Sequence, residues 1–380
     1  MVNLFTRLSR RKFILTVSAS VLTITALRGF ATSPTQAASP IAKSTESSAS
    51  SLGGKSLAAT GGDAALYAAA KKEGKLVYYT VFFNQDVVNE IGAAFTKKYP
   101  GIQFEGTRKV AGTLFQQLNQ EMQAGVKNCD VFGTTDLGQM IKLNSQQKLL
   151  QYQPSGKEAV QPQFRNLNPA NFYQTGAIIP IVIGYNTQKL KPAEIPKSWK
   201  ELLNPRYKDK IATGSGAASG QVGTWALAME QQMGGWNAYF PAFNKLNPKL
   251  GRSINDAVAD VISGERSLGI VTLGQMLTAK AKGNPVAVVY PAEGTVLVVG
   301  PIGILKDAPH PNAAKLFMNF MMSKEYSQLA AKYFEQPLRS DVTVAGARTL
   351  KAMKPIILTP EQIKVGIPKI QTQWKNLFGA

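Results

Sequence analysis

Apolar positions along this chain recur with two alternating periods, and each switch of period marks a new element. Residues 63–74 predict a short helix stopped by Gly74. Residues 76–81, L-V-Y-Y-T-V, are β-branched and aromatic and predict a strand. Over 84–98, Val87, Ile91, Ala94 and Phe95 recur at three- and four-residue spacing, which predicts an amphipathic helix broken at Tyr99-Pro100-Gly101. A strand at 102–107, a helix at 112–124, a strand at 129–133 and a helix at 139–148 follow. An unusually apolar extended run occupies 177–186. A second alternation then begins: a strand at Ile211, a helix to Gln232, helices at 234–246 and 254–263, and strands at 267–272, 286–290 and 295–304. A helix at 311–322 starts from His310-Pro311-Asn312, and the tail predicts one short helix around Glu361 and another near Trp374. Strand–helix alternation predicts an α/β fold of mostly parallel sheets covered on both faces, here as two units side by side.

The stretch 213–221, T-G-S-G-A-A-S-G-Q, joins a strand to a good helix former. Its small residues let a backbone approach closely. Ser215 and Ser219 supply hydroxyls, and the helix start supplies unpaired N–H groups with partial positive charge, a ready anion site. An ordinary capped loop accounts for the same residues. No G-K-[ST] closes it, so it is not a P-loop, and it is not G-x-G-x-x-G.

The first forty residues read as export signal rather than fold. Arg10-Arg11 opens a twin-arginine pattern, an apolar run spans 13–27, and Thr35-Gln36-Ala37 is a small-residue cleavage site. The expected organisation is a twin-arginine (Tat) signal peptide over 1–37 and a Ser/Ala/Thr/Gly-rich flexible linker over 38–62. One lobe is expected from 63–180 with 296–350, a second from 181–295, and a helical tail at 351–380. The destination is the periplasm. The formal charge is +20. Five basic residues leave with the leader, so the mature chain carries about +15, which suits anionic ligands. The Lys and Arg are scattered with no basic–aromatic run, which argues against nucleic acid. Cys129 is the only cysteine and His310 the only histidine. There is therefore no internal disulfide, no zinc or copper site built on several histidines, and no obvious base for a serine or cysteine nucleophile. No metal or other cofactor is expected. A Ser–Lys pair using Lys210 is the remaining enzymatic reading.

Ligands in open α/β sheets sit beyond the carboxyl ends of strands, and two lobes can turn those ends toward one cleft. The candidate ligand contacts are accordingly Thr80, Thr134, Thr135, Tyr185, Ser215, Ser219, Gly220, Gln221, Gln275 and Glu293, a set richer in hydroxyls and amides than in catalytic types. Alternatives stand beside several of them. Asp136 either caps the next helix or binds a ligand amine. Glu293 is equally a turn residue, and Tyr185 a plug of the inter-lobe seam. Arg108 and Lys109 are either anion attractors or a solvated pair. Trp199 and Trp225 read as packing residues.

Several segments carry a family resemblance: K-K-E-G-K-L-V-Y-Y-T (71–80), C-D-V-F-G-T-T-D (129–136), I-V-I-G-Y-N-T (181–187), P-K-S-W-K-E-L-L-N-P-R-Y-K-D-K-I-A (196–212), V-I-S-G-E-R-S-L-G-I-V (261–271), P-A-E-G-T (291–295) and A-P-H-P-N-A-A-K-L-F-M-N-F (308–320). Together they resemble the periplasmic solute-binding proteins of ABC importers, type II fold, in the branch that includes ferric-iron binders. The resemblance implies two lobes, a cleft that closes by hinge motion, capture of a small solute, delivery to a membrane ABC permease, and action as a monomer. Similar ferric binders hold iron with two adjacent tyrosines late in the second lobe. This chain has Thr272-Leu273-Gly274-Gln275 there, and Tyr78-Tyr79, as successive strand residues, point to opposite faces. An organic or phosphorus-containing anion is therefore the expected solute, with ferric iron as the alternative.

Overall fold

The apolar run at 177–186 is where the architecture turns. In a computed structural model describing residues 62–379, it lies within one 13-residue strand that belongs to both halves of a continuous sheet. The expected signal peptide (1–37) and linker (38–62) lie outside the described residues but for Gly62.

The first half begins with α1 (Gly62–Glu73), β1 (Lys75–Thr80), α2 (Gln85–Lys98), β2 (Gln103–Arg108), α3 (Ala111–Gln123), β3 (Val131–Gly133), α4 (Leu137–Ser145), β4 (Leu149–Leu150) and the one-turn α5 (Pro162–Arg165). The long β5 (Gln174–Asn186) leads into the second half. That half holds β6 (Ile211–Gly214), α6 (Gly220–Met233), α7 (Tyr239–Lys245), β7 (Lys249–Gly251), α8 (Ile254–Ser263), β8 (Leu268–Thr272), α9 (Leu273–Ala281) and β9 (Val286–Val289). β10 (Thr295–Leu305) returns, followed by α10 (Pro311–Met321), α11 (Lys324–Lys332), β11 (Pro355–Ile356) and α12 (Pro360–Phe378).

Local chemistry sets many of these limits. Asn84 caps α2 by accepting from the Val87 amide at 3.0 Å. Ser253 and Asp256 form a capping box at α8, and Thr359 and Gln362 form one at α12. Gly234 and Gly264 end α6 and α8 in the left-handed conformation.

Three expectations from periodicity are corrected. The helix expected at 234–246 is only α7 plus a single 3-10 turn, because Gly234 takes positive φ and Ala238 is non-helical. The two short tail helices are one helix, α12, continuous through Pro368. α9 and α11 have no counterpart in the periodicity reading.

Strand order is β2-β1-β3-β10-β5-β8-β6-β7. β2, β1 and β3 are parallel, as are β8, β6 and β7. β10 is antiparallel to β3 and β5, and β5 is antiparallel to β8. β3 therefore runs with β5 and β8 runs against it, so their carboxyl ends face each other. β3 ends at Gly133, opposite Ile302, which pairs with Gln174. β8 ends at Thr272, opposite Ile181. The gap between the two half-sheets is spanned by β5 from 174 to 181, roughly 23 Å at ~3.3 Å per residue, with β10 alongside.

The largest buried side chains lie in both halves. Phe95, Phe104 and Phe317 cluster beneath β1, and Trp199, Trp225, Phe240 and Trp374 cluster around α6. α6 is buried from Gly220 to Met229, and a helix apolar on every side belongs in a core. Cys129 is buried, with its Sγ 3.3 Å from the Val131 carbonyl.

Candidate functional site

The facing strand ends bring six loop–helix starts to the gap, those of α2, α3, α4, α6, α8 and α9. On the first side, Thr80 Oγ1 accepts from the Phe82 amide at 3.0 Å and shapes the turn after β1. Phe83, in that turn, has φ 58°, a costly conformation for a bulky residue and one often kept at functional sites. After β3, Thr134 Oγ1 donates to Gln139 Oε1 at 2.7 Å and accepts from the Asp136 amide at 3.1 Å. Asp136 is the N-cap of α4, accepting from the Gly138 amide at 2.9 Å. Burial pushes its carboxyl above the ordinary aspartate range, against the opposing amide hydrogen bonds.

On the second side, Ser215 Oγ accepts from the Ala217 amide at 3.1 Å, and Ser219 caps α6 at the Val222 amide, 3.5 Å away. The space beside Gly214, Gly216 and Gly220 is filled by neighbouring protein. A β-carbon on Gly220 would stand 2.7 Å from the Thr135 carbonyl oxygen. The start of α6 thus abuts the start of α4 across the gap. Gly214 is pressed against Ser253, and Gly216 against the Trp374 ring. The Gly112 amide donates to the Ala218 carbonyl at 3.3 Å, and Arg252 Nη2 lies 3.4 Å from Thr113 Oγ1. The starts of α3, α4, α6 and α8 therefore converge, each bringing the partial positive charge of a helix N-terminus, with several of their amides already taken up by Ala218, Asp136 and Ser219. Arg108, at the end of β2, is half-buried rather than solvated. Its Nε donates to the Phe83 carbonyl at 3.2 Å; desolvation lowers its pKa and the carboxylate of Asp256 acts against that.

The remaining candidates separate. Gln221 is buried at the start of α6. Gln275 joins the site through α8, donating to Asn255 Oδ1 at 2.9 Å. Tyr185 does not reach it: it pairs with Leu268, at the opposite end of β8 from Thr272, because β5 runs against β8. Its strand end points away from the gap. Glu293 is also set aside, since its two carboxylate oxygens accept from the Trp199 and Lys200 amides at 2.9 and 3.0 Å. The Ser–Lys reading fails on geometry. Lys210 precedes β6 and Ser215 follows it, roughly 15 Å apart along the strand.

Periodicity missed two residues at the site. Glu335 and Gln336 follow α11 and enter the gap at mid-floor, where Gln336 forms a bridge with Ile178 of β5. No sequence signal marks Glu335. The capping box S-x-x-D at Ser253–Asp256 was readable. Four buried atoms here have no hydrogen-bond partner: Thr213 Oγ1, Thr272 Oγ1, Glu335 Oε2 and Gln336 Nε2. Thr213 and Thr272 lie on the same face of neighbouring strands, given the Ile211–Leu268 register.

Two half-sheets joined by two long crossing strands, with strand ends and helix starts turned toward the join, define the type II periplasmic-binding class. The periplasmic binding protein AfuA of Actinobacillus pleuropneumoniae, solved with exogenous fructose-6-phosphate bound, has this fold: TM-score 0.71 and 24% identity, over 80% of this chain and 99% of that one. The sequence profile of the family described as bacterial extracellular solute-binding protein matches residues 130–356, and the chain belongs to that family. An uncharacterized protein of Haemophilus influenzae is 26% identical over 310 residues, 79% of this chain and 86% of its own length. A Salmonella typhi protein, provisionally named a 2-aminoethylphosphonate-binding periplasmic protein, is 30% identical over 169 residues, 42% of this chain. The match spans about half, 49%, of that relative's length.

Proposed function

We propose that this chain is the solute-binding component of an ABC importer and that its cleft holds a small organic or phosphorus-containing anion. The observation that carries this reading is the convergence of the α3, α4, α6 and α8 starts between facing strand ends. Helix N-terminal dipoles favour an anion there, and Arg108 and Arg252 add positive charge nearby, beside the capping carboxylates of Asp136 and Asp256. The phosphorylated ligand in AfuA and the phosphonate in the name of the Salmonella relative support the choice of anion.

Lobe 1 is 63–180 with 296–350, lobe 2 is 181–295, and 351–380 is the tail. The protein reaches the periplasm by the twin-arginine route, works there as a monomer and docks on a membrane permease. It catalyses no reaction. Tyr78 and Tyr79 do not share a metal site: Tyr78 packs against Phe317, and the Tyr79 hydroxyl bonds to Glu121 Oε1 at 3.1 Å.

The test is a thermal-shift screen after unfolding and refolding strip any carried ligand. Phosphonates, phosphate esters, carboxylates, sugars, polyamines and ferric citrate form the panel. A ligand at 100 times its dissociation constant adds about 2.7 kcal/mol, an easily read shift. Response to phosphonates, phosphate esters or carboxylates is expected; response to ferric citrate alone, with a phenolate charge-transfer colour, would overturn the anion reading.

A further inference from the structure

Glu335 is the one acidic side chain at the floor of the gap whose carboxyl oxygen lacks a protein partner among the described residues. Only 4% of its surface is exposed, and Oε2 makes no hydrogen bond. Its carboxyl lies against the first turn of α9: a β-carbon on Gly274 would stand 2.5 Å from Oε1 and 2.8 Å from Oε2. Gly274 thus keeps open the space that the carboxyl occupies.

The placement is built from both sides. Phe334 turns the chain with φ 59°, and the Glu335 amide donates to the Ala330 carbonyl at 3.0 Å. Thr278 of α9 donates to the Tyr333 carbonyl at 3.0 Å, while Gln336 bridges to Ile178 of β5. The carboxyl is therefore fixed at the junction of both halves. It connects to the anion site through Gly274, Gln275, Asn255 and the start of α8, which presses on Gly214.

We propose that Glu335 is the cation-recognising side chain of the cleft, receiving a primary ammonium group of a solute whose anionic end sits at the helix starts. This rests on the anion reading above and adds the other end of the solute. A buried carboxyl without a partner is costly, and a charged N–H donor relieves that cost strongly. Among the described residues no Lys, Arg or His forms an ion pair with Glu335, and the nearby Tyr326 phenol is itself buried. Burial raises the Glu335 pKa to about 8, so at neutral pH the bare site is largely protonated.

Calorimetric titrations of the purified protein with 2-aminoethylphosphonate, ethylphosphonate and putrescine decide the matter, using wild type and Glu335→Gln. We expect 2-aminoethylphosphonate to bind wild type at least tenfold tighter than ethylphosphonate. Glu335→Gln should erase that preference while leaving ethylphosphonate affinity within about twofold. The wild-type preference should also grow from pH 7 to 9, as the carboxyl ionises, and stay flat in the variant. If neither phosphonate binds but putrescine does, and Glu335→Gln abolishes it, the carboxyl subsite stands and the anion reading falls. Unchanged discrimination in Glu335→Gln overturns the proposal, as does the absence of any response to an amine-bearing probe. Should Glu335→Gln fold poorly, Glu335→Asp, which withdraws the carboxyl from α9, is expected to weaken 2-aminoethylphosphonate selectively.

Discussion

Glu335 also leaves a mark on stability. Its carboxyl titrates near 4.5 in an unfolded chain and is pushed up to about 8 in the fold by burial. The folded state therefore holds a proton that the unfolded state releases between those values. Its contribution is full below pH 4.5, falls as pH rises at about 1.4 kcal/mol per unit, and levels off above about 8. Denaturant midpoints at pH 5 and 9 should show wild type losing a few kcal/mol more than Glu335→Gln. Equal losses would mean the carboxyl is solvated. The same logic separates Glu335 from Glu293, whose two carboxylate oxygens each already accept from a backbone amide.

At the scale of elements, α12 is the least expected piece. It lies over α6: Gln362 Nε2 donates to Gln231 Oε1 at 2.9 Å, and a β-carbon on Gly366 would meet the Leu227 side chain. Its Trp374 is fully buried among Trp236, Phe240 and Phe378 and sits on Gly216 in the Ser/Gly loop. The tail thus braces the back of the loop whose front helps form the candidate site. Trp374→Ala should cost about 3–5 kcal/mol by cavity formation, measured by denaturant unfolding, and should loosen ligand binding through the loop. A loss under about 1 kcal/mol would show that the site collapses around the smaller side chain, against this packing account. The apolar spacing of Ile363, Ile367, Ile370 and Trp374 is legible as one buried stripe. Pro368 suggests a break because it lacks an N–H, yet tertiary packing carries the helix through it.

For the whole molecule, the contacts of Gly220 with Thr135 and of Gly112 with Ala218 join the two halves across the gap. If the cleft closes by hinge motion as proposed, these contacts form on closure with ligand. Spin labels at the exposed Gln116 and Lys208 should report a shorter, narrower distance when ligand is added. Gly220→Ala puts a methyl into the Thr135 carbonyl, so closure should be hindered and affinity should fall at least tenfold. Closure and affinity identical to wild type would mean that these contacts are not part of the closing surface. The sequence by itself determined the α/β class, most elements, the Ser/Gly loop and the hydroxyl-rich strand ends, because each follows from local periodicity, capping or turn chemistry. It also marked the long apolar strand that becomes β5. Only the tertiary structure decided which strand ends meet. β5 runs with β3 and against β8, and this sense of pairing puts Thr272 at the gap and Tyr185 away from it. It likewise brought Glu335 onto Gly274, some sixty residues earlier in the chain. A contact between residues so far apart leaves no period or spacing in the sequence to read.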